Sequence, residues 1–305
     1  MARDDSESLL NRIFGEWEGS RTFLAMCILL AFIAVGGYLL WTNYGPYVLT
    51  QKKYELTTES IEITPQPAWI TQSNVAAESA NAGGLSGLSV RQPDLTVVVS
   101  QAFRMHAWVK SVNHVTKRHP ARVLVDLTYR QPVAMVEIPY SESPTGIGRL
   151  PVDIEGVLLP TADFTAQLAK NYLRISAGDT TPASNIAGTA WGDERVHGAA
   201  QVAAFLTPHH LNFGLTKITA YRGPQRIQGK NDLYYVLRSR EGTTIIWGRA
   251  PGDEQAGEPP AEQKLTRLAE YIQQHGSLMV DHPGQTIDLR RADGLQIATL
   301  PDELQ

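Results

Sequence analysis

The chain has 305 residues, with 27 Lys and Arg against 31 Asp and Glu, for a net charge of -4 at pH 7. That balance gives no electrostatic reason to expect a nucleic-acid partner. A composition 43% hydrophobic and 19% charged excludes wholesale disorder. The one cysteine, Cys27, lies in an apolar run, which excludes a disulfide framework and a cysteine-built metal site.

Residues 23–41 read FLAMCILLAFIAVGGYLLW and carry no charge. As a helix they rise about 1.5 Å each, close to the roughly 30 Å of bilayer hydrocarbon. Tyr38, Trp41, Tyr44 and Tyr47 collect at the downstream end, where amphipathic rings favour the headgroup zone. A buried core helix of this length would show a polar face. A secretory signal would have a shorter apolar core, followed by small residues instead of aromatics. An uncleaved transmembrane helix with Phe23 and Trp41 at its ends is expected. Arg3, Arg12 and Arg21 precede it, while Lys52 and Lys53 follow. Three cations against two tilt the stub 1–22 toward the cytoplasm, though charge alone leaves the orientation open.

After a connector at 42–55, residues 55–63 (ELTTESIEI) read as a strand that Pro65 and Pro67 end. A helix is expected around 75–80, then a flexible loop, AGGLSGLS. The loop lacks the Gly-Lys-Ser/Thr ending of a phosphate-binding loop. Leu95, Val98, Val99, Ala102 and Phe103 follow helical spacing. Residues 108–116 and 122–130 read as strands around a His119-Pro120 turn. In the second, Val123, Val125, Leu127 and Tyr129 share one face. Strand, helix, helix, strand, strand predicts a small α+β sandwich with helices on one face of its sheet.

Further strands are expected at 133–138 and at 150–159, the latter broken by a turn at 153–156. Residues 176–192 read as a loop and 194–206 as a helix. Strands follow at 215–221, 233–238 and 243–247, with turns at Gly223-Pro224 and Glu241-Gly242. A loop at 250–260 leads to an amphipathic helix at 261–274 and a last strand at 286–290.

Nothing in this pattern points to catalysis, so no catalytic residue, cofactor, metal or small-molecule substrate is assigned. His209-His210 follow Pro208 at a helix end, and adjacent histidines diverge instead of sharing a metal. His106, His114 and His119 fall on a helix, a strand and a turn. Asp153 and Glu155 sit in a turn and read as solvated. No Gly-x-Ser-x-Gly, His-Glu-x-x-His or Walker-type sequence occurs. Trp69, Trp108, Trp191 and Trp247 are scattered singly, as core residues are.

Several motifs occur in one order behind the lone apolar helix: Trp108-Val109-Lys110-Ser111-Val112, then His119-Pro120-Ala121-Arg122-Val123, then Tyr129-Arg130-Gln131-Pro132-Val133-Ala134. Val152-Asp153-Ile154-Glu155-Gly156-Val157 comes next, and Lys264-Leu265 precedes Ile287-Asp288-Leu289-Arg290. Over roughly residues 20–295 this order resembles the FtsQ/DivIB family of bacterial cell-division proteins. Tyr129 stands where that family has an acidic residue, and Arg291 where an aromatic is common.

The resemblance implies an α+β protein. Its parts are a cytoplasmic stub (1–22), a transmembrane helix (23–41), a connector (42–55), a POTRA-like domain (56–130), a larger, mainly antiparallel β domain with a few helices (131–299) and a tail (300–305). It implies a non-catalytic scaffold in the inner membrane at the division septum, with both domains outside the cytoplasm. FtsB- and FtsL-like bitopic proteins would bind the C-terminal edge strand, and other division proteins the POTRA-like unit. A strand at 286–290 followed by 294–299 would leave a free edge, with Ile287, Leu289, Arg291, Leu295 and Ile297 facing or flanking the partner. The alternatives are a membrane-anchored envelope enzyme or sensor, and a POTRA component of protein export. One such unit, with no barrel after it, disfavours the last.

Overall fold

The computed structural model describes residues 5–49, 52–227, 230–280 and 285–299. The tail 300–305 and the first four residues of the stub lie outside them. Helix α1 runs over Asp5–Leu49, well beyond the expected 23–41 at both ends. Within it, Thr22–Gly45 is long and apolar enough to cross a membrane, and no residue of its most apolar stretch is buried against the rest of the protein. Phe23 and Trp41 are both about two-thirds exposed, at 65% and 66%. At the downstream end, the side chains of Thr42 and Asn43 both donate back to the Leu39 carbonyl. The helix is compatible with a single-pass anchor.

The next unit comprises β1 (Ile61–Ile63), α2 (Val75–Ala82), α3 (Leu95–Arg104), β2 (Val109–Arg118) and β3 (Arg122–Tyr129). Its sheet has the order β1-β3-β2, with β1 parallel and β2 antiparallel to β3. Of the predicted stripe of α3, Leu95, Val99 and Phe103 are fully buried, Ala102 is buried and Val98 is partly buried; Val75 of α2 and Val123 and Val125 of β3 are also fully buried. The expected strand at 55–63 forms only at its end. Upstream, Tyr54 and Leu56 bond to the loop after α2 (Leu56 N–H to Leu88 O, Gly87 N–H to Leu56 O, Val90 N–H to Tyr54 O). That loop is therefore tied down instead of flexible, and Leu85 within it is completely buried.

The larger unit holds β4 (Pro132–Pro139), β5 (Ile147–Asp153), β6 (Leu173–Ser176), α4 (Glu194–Leu206), β7 (Leu215–Ile227), β8 (Lys230–Ser239) and β9 (Thr244–Gly248). It closes with α5 (Ala261–His275), β10 (Gln285–Asp288) and β11 (Gln296–Thr299). They make one eight-stranded sheet, β5-β4-β6-β7-β8-β9-β10-β11. The sheet is mixed instead of mainly antiparallel, because β4/β6, β6/β7 and β9/β10 pair in parallel. The physical reason lies in the connections: β6 reaches β7 through α4, β9 reaches β10 through α5, and β4 reaches β6 by way of the antiparallel β5 on its other side. A helical crossover returns the chain in the same direction. Two further departures concern strands. The four-residue β6 was unforeseen, and β7 continues through the expected Gly223-Pro224 turn as far as Ile227, with a register shift between Arg222 and Arg226.

The two units lock together through residues 157–164. Leu159 (1% exposed) belongs to the core of the smaller unit, and Phe164 packs on Trp108. Asp163 (1% exposed) is the centre of this junction. One oxygen accepts the backbone N–H groups of Thr71, Gln72 and Ser73, at 2.7, 2.6 and 3.1 Å. The other accepts the Ser73 hydroxyl at 2.7 Å and the Trp108 indole N–H at 2.8 Å. Arg130 adds a second tie, to Asp153 at 2.6 Å and Glu155 at 3.1 Å, and Lys110 meets Glu155 at 2.9 Å. Asp153 and Glu155, expected as a solvated turn pair, are thus cross-domain ion-pair partners, and Asp153 is 1% exposed.

Burial pushes the Asp163 carboxyl up, but the donors from Gln72, Ser73 and Trp108 outweigh it and hold it below its ordinary 3.8. A depressed carboxyl stabilises the fold fully above its unfolded value and loses that contribution as pH falls through the folded one. Asp163→Ala should therefore cost about 2–4 kcal/mol near neutral pH, the scale of stranding several buried donors, and the deficit should shrink below about pH 4. Denaturant unfolding of the full chain in detergent at pH 7 and pH 3 checks both; equal deficits at the two pH values would contradict the linkage.

Candidate partner-binding edge

The C-terminal end of the large sheet is positioned by α5. Its buried face comprises Ala261, Lys264, Leu268 and Tyr271, spaced three or four residues apart. Lys264 is fully buried, and its ammonium reaches Glu258 Oε1 at 2.6 Å and lies 5.2 Å from the Trp247 ring centre. Glu258 accepts two more donors, the N–H of Arg249 at 2.8 Å on Oε1 and that of Gln255 at 3.3 Å on Oε2. This carboxylate therefore ties the loop after β9 to α5. Gly248 makes room for it. Its φ is +94°, and a Cβ there would stand 2.0 Å from Glu258 Oε1, so a larger residue would be strained and would displace that carboxylate.

β10 lies between β9 and β11, in register Ile287↔Ile245 and Ile287↔Ile297. Ile287 and Leu289 are 0% exposed and sit in the main core. They are therefore core residues and do not face a partner. Burial of Ile287 follows from its place on an interior strand, and Leu289, just past that strand, is held by its N–H bond to the Ile246 carbonyl. The edge itself is β11. Ile297 is 45% exposed there, beside Ile287 on the same face. Leu295 is half-buried against the core, and Ala298 and Thr299 are exposed. Arg291 is exposed and 3.6 Å from Asp293. Of the five residues assigned from sequence, Arg291, Leu295 and Ile297 thus lie at or beside the open edge.

The strand-to-strand turn carries its own polar order. Asp288 receives the Arg290 backbone N–H at 2.9 Å and the guanidinium Nη2 at 2.8 Å. That hydrogen bond raises the Arg290 pKa. Gln296 donates to Asp293 at 3.2 Å. From the helix layer, Arg267 donates to the carbonyls of Arg291 and Ala292. Beside this turn an open cleft of about 580 Å³ is lined by Gln255, Glu258, Asp288, Arg290 and Asp293 among others. Arg267, Glu258 and the buried state of Lys264 were not expected from sequence. Lys264 carried the only signal, as a cation interrupting an apolar stripe.

The histidines take structural places. His210 is buried, its ring nitrogens 2.8 and 2.9 Å from the carbonyls of Thr207 and Asn171. His209 stacks on Phe213 instead. His106 lies just past α3, not on it, and pairs with Glu78 at 3.1 Å. Among the described residues, no three His, Cys, Asp or Glu side chains converge to hold a metal ion. No protein-family model and no curated protein matches the chain.

The Lys264–Glu258 pair yields an asymmetric expectation. Glu258→Ala strands a fully buried ammonium and should cost about 3–5 kcal/mol. Lys264→Met leaves a carboxylate at the rim that still accepts two backbone N–H groups, so it should cost clearly less. Thermal unfolding of both variants decides this; equal losses would mean that the ion pair is not what the buried lysine depends on.

Proposed function

We propose that this protein is a non-catalytic, bitopic scaffold of the bacterial cell-division machinery, of the FtsQ/DivIB kind. The observation that carries the proposal is the edge strand β11, unpaired on its outer side among the described residues, with its exposed Ile297. It ends a large sheet that follows a β–α–α–β–β unit and a membrane-length helix, in the order the family resemblance requires. In this reading the β–α–α–β–β unit is a POTRA domain that contacts other division proteins. The stub is cytoplasmic, α1 lies in the inner membrane, and both folded units sit outside the cytoplasm at the septum.

A partner of the FtsB/FtsL type adds a strand to β11. An edge strand offers unpaired N–H and C=O groups for main-chain bonds, while side chains on the two faces supply selectivity. Ile297 gives the incoming strand an apolar neighbour on the core side. Tethering through α1 confines both proteins to one membrane and raises their effective concentration, so a short edge suffices.

Truncation at residue 284 would remove Ile287 and Leu289 from the core and would therefore report on folding instead of binding. Ile297→Glu is the cleaner test, since the side chain is already half exposed. It should lower capture of a co-expressed FtsB/FtsL-like pair at least about tenfold while changing stability by less than about 1 kcal/mol. A fluorescent fusion should form a midcell band in dividing cells. Undiminished capture by Ile297→Glu, or even labelling around the envelope, would count against the proposal.

A further inference from the structure

We infer that Arg267 is a positioning residue that keeps β11 ordered before a partner arrives; the inference rests on the edge-strand reading above. β11 pairs with β10 over four positions, Gln285↔Thr299 to Asp288↔Gln296, and among the described residues has a strand on one side alone. Short ribbons of this kind open locally at little cost. Their connecting turn spans residues 289–295 and includes Gly294 at φ +139°.

The side-chain contacts of the turn run within it or to the two strands it joins, and the backbone bond from the Leu289 N–H to the Ile246 carbonyl of β9 fixes only its start. Arg291 meets Asp293, and Gln296 meets Asp293. Such contacts travel with the turn and cannot hold it against the body of the protein. Arg267 is different, because it reaches the turn from α5. Its Nη1 donates to the Arg291 carbonyl at 2.5 Å and its Nη2 to the Ala292 carbonyl at 2.8 Å. The base of the side chain is rigid, for Leu268 is the next residue and Lys264 lies one turn before it, both 0% exposed.

Two donors fixed in one plane match two successive carbonyls, a geometry the guanidinium supplies and a lysine ammonium does not. Strand addition needs the outer N–H and C=O groups of β11 in line when the partner meets them. A frayed edge would have to be ordered during binding, which weakens affinity and slows association. The clamp removes that ordering step. Its action is on the site, at a distance from any direct partner contact.

The test uses the full chain in lipid nanodiscs and compares wild type, Arg267→Ala, Arg267→Lys and Ile297→Glu. Hydrogen exchange without partner should rise about tenfold or more over residues 291–299 in Arg267→Ala and stay unchanged over β7, β8 and β9. Capture of the co-expressed FtsB/FtsL-like pair should fall about tenfold, chiefly through slower association. Arg267→Lys should recover only part of both. Unchanged exchange at 291–299 in Arg267→Ala, equal loosening across β7–β9, or full binding despite a frayed edge would each overturn the clamp. Ile297→Glu separates the two levels. If that variant binds normally, the edge reading itself fails, whereas loss of binding by Ile297→Glu with no effect of Arg267→Ala leaves the edge reading standing and removes the clamp.

Discussion

One buried carboxylate holds the two folded units in a fixed relation. Asp163 comes from the larger unit, yet its five closest donors belong to the smaller one, three of them successive backbone N–H groups. A buried carboxylate without such donors would be costly, and donors at 71–73 without the carboxylate would be stranded. Each side thus requires the other. The neighbouring Leu159 completes an apolar core that begins on the smaller unit, and the Arg130 ion pairs with Asp153 and Glu155 repeat the tie in a second place. The membrane-length helix, the small sheet and the large sheet therefore follow one another with a firm joint between the last two.

From that joint the large sheet runs in one direction to an open end. Two helical crossovers set two of its three parallel pairings, β6/β7 and β9/β10, and α4 and α5 lie over a single core that includes Ile287 and Leu289. The helix layer stops short of β11, so Ile297 remains half exposed although its cross-strand neighbour Ile287 is fully covered. The same end is braced by charge. Lys264 and Glu258 fasten the loop after β9 to α5, Asp288 and Arg290 form a fork at the end of β10, and Arg267 reaches the turn. An edge that is open yet braced suits main-chain recognition, because hydrogen-bond addition depends on a straight, ordered backbone.

The sequence by itself determined the elements whose period is strong. The uncharged run at 23–41, the stripe of α3, the alternation of β3 and the limits of α4 all read directly, because burial of one face imposes spacing that a single chain displays. The order of predicted helices and strands likewise announced the mixed α and β character. Tertiary structure decided what depends on partners distant along the chain. A four-residue strand such as β6 has too few residues to show a period. Parallel against antiparallel pairing is set by crossovers, and Ile287 and Ile297 look alike as alternating apolar residues until the helix layer covers one and leaves the other open. Asp163 and Arg267 carry no local signal in the sequence, since their donors and acceptors lie about ninety and about twenty-five residues away. What a charge bonds to across such separations is fixed only when the chain has folded.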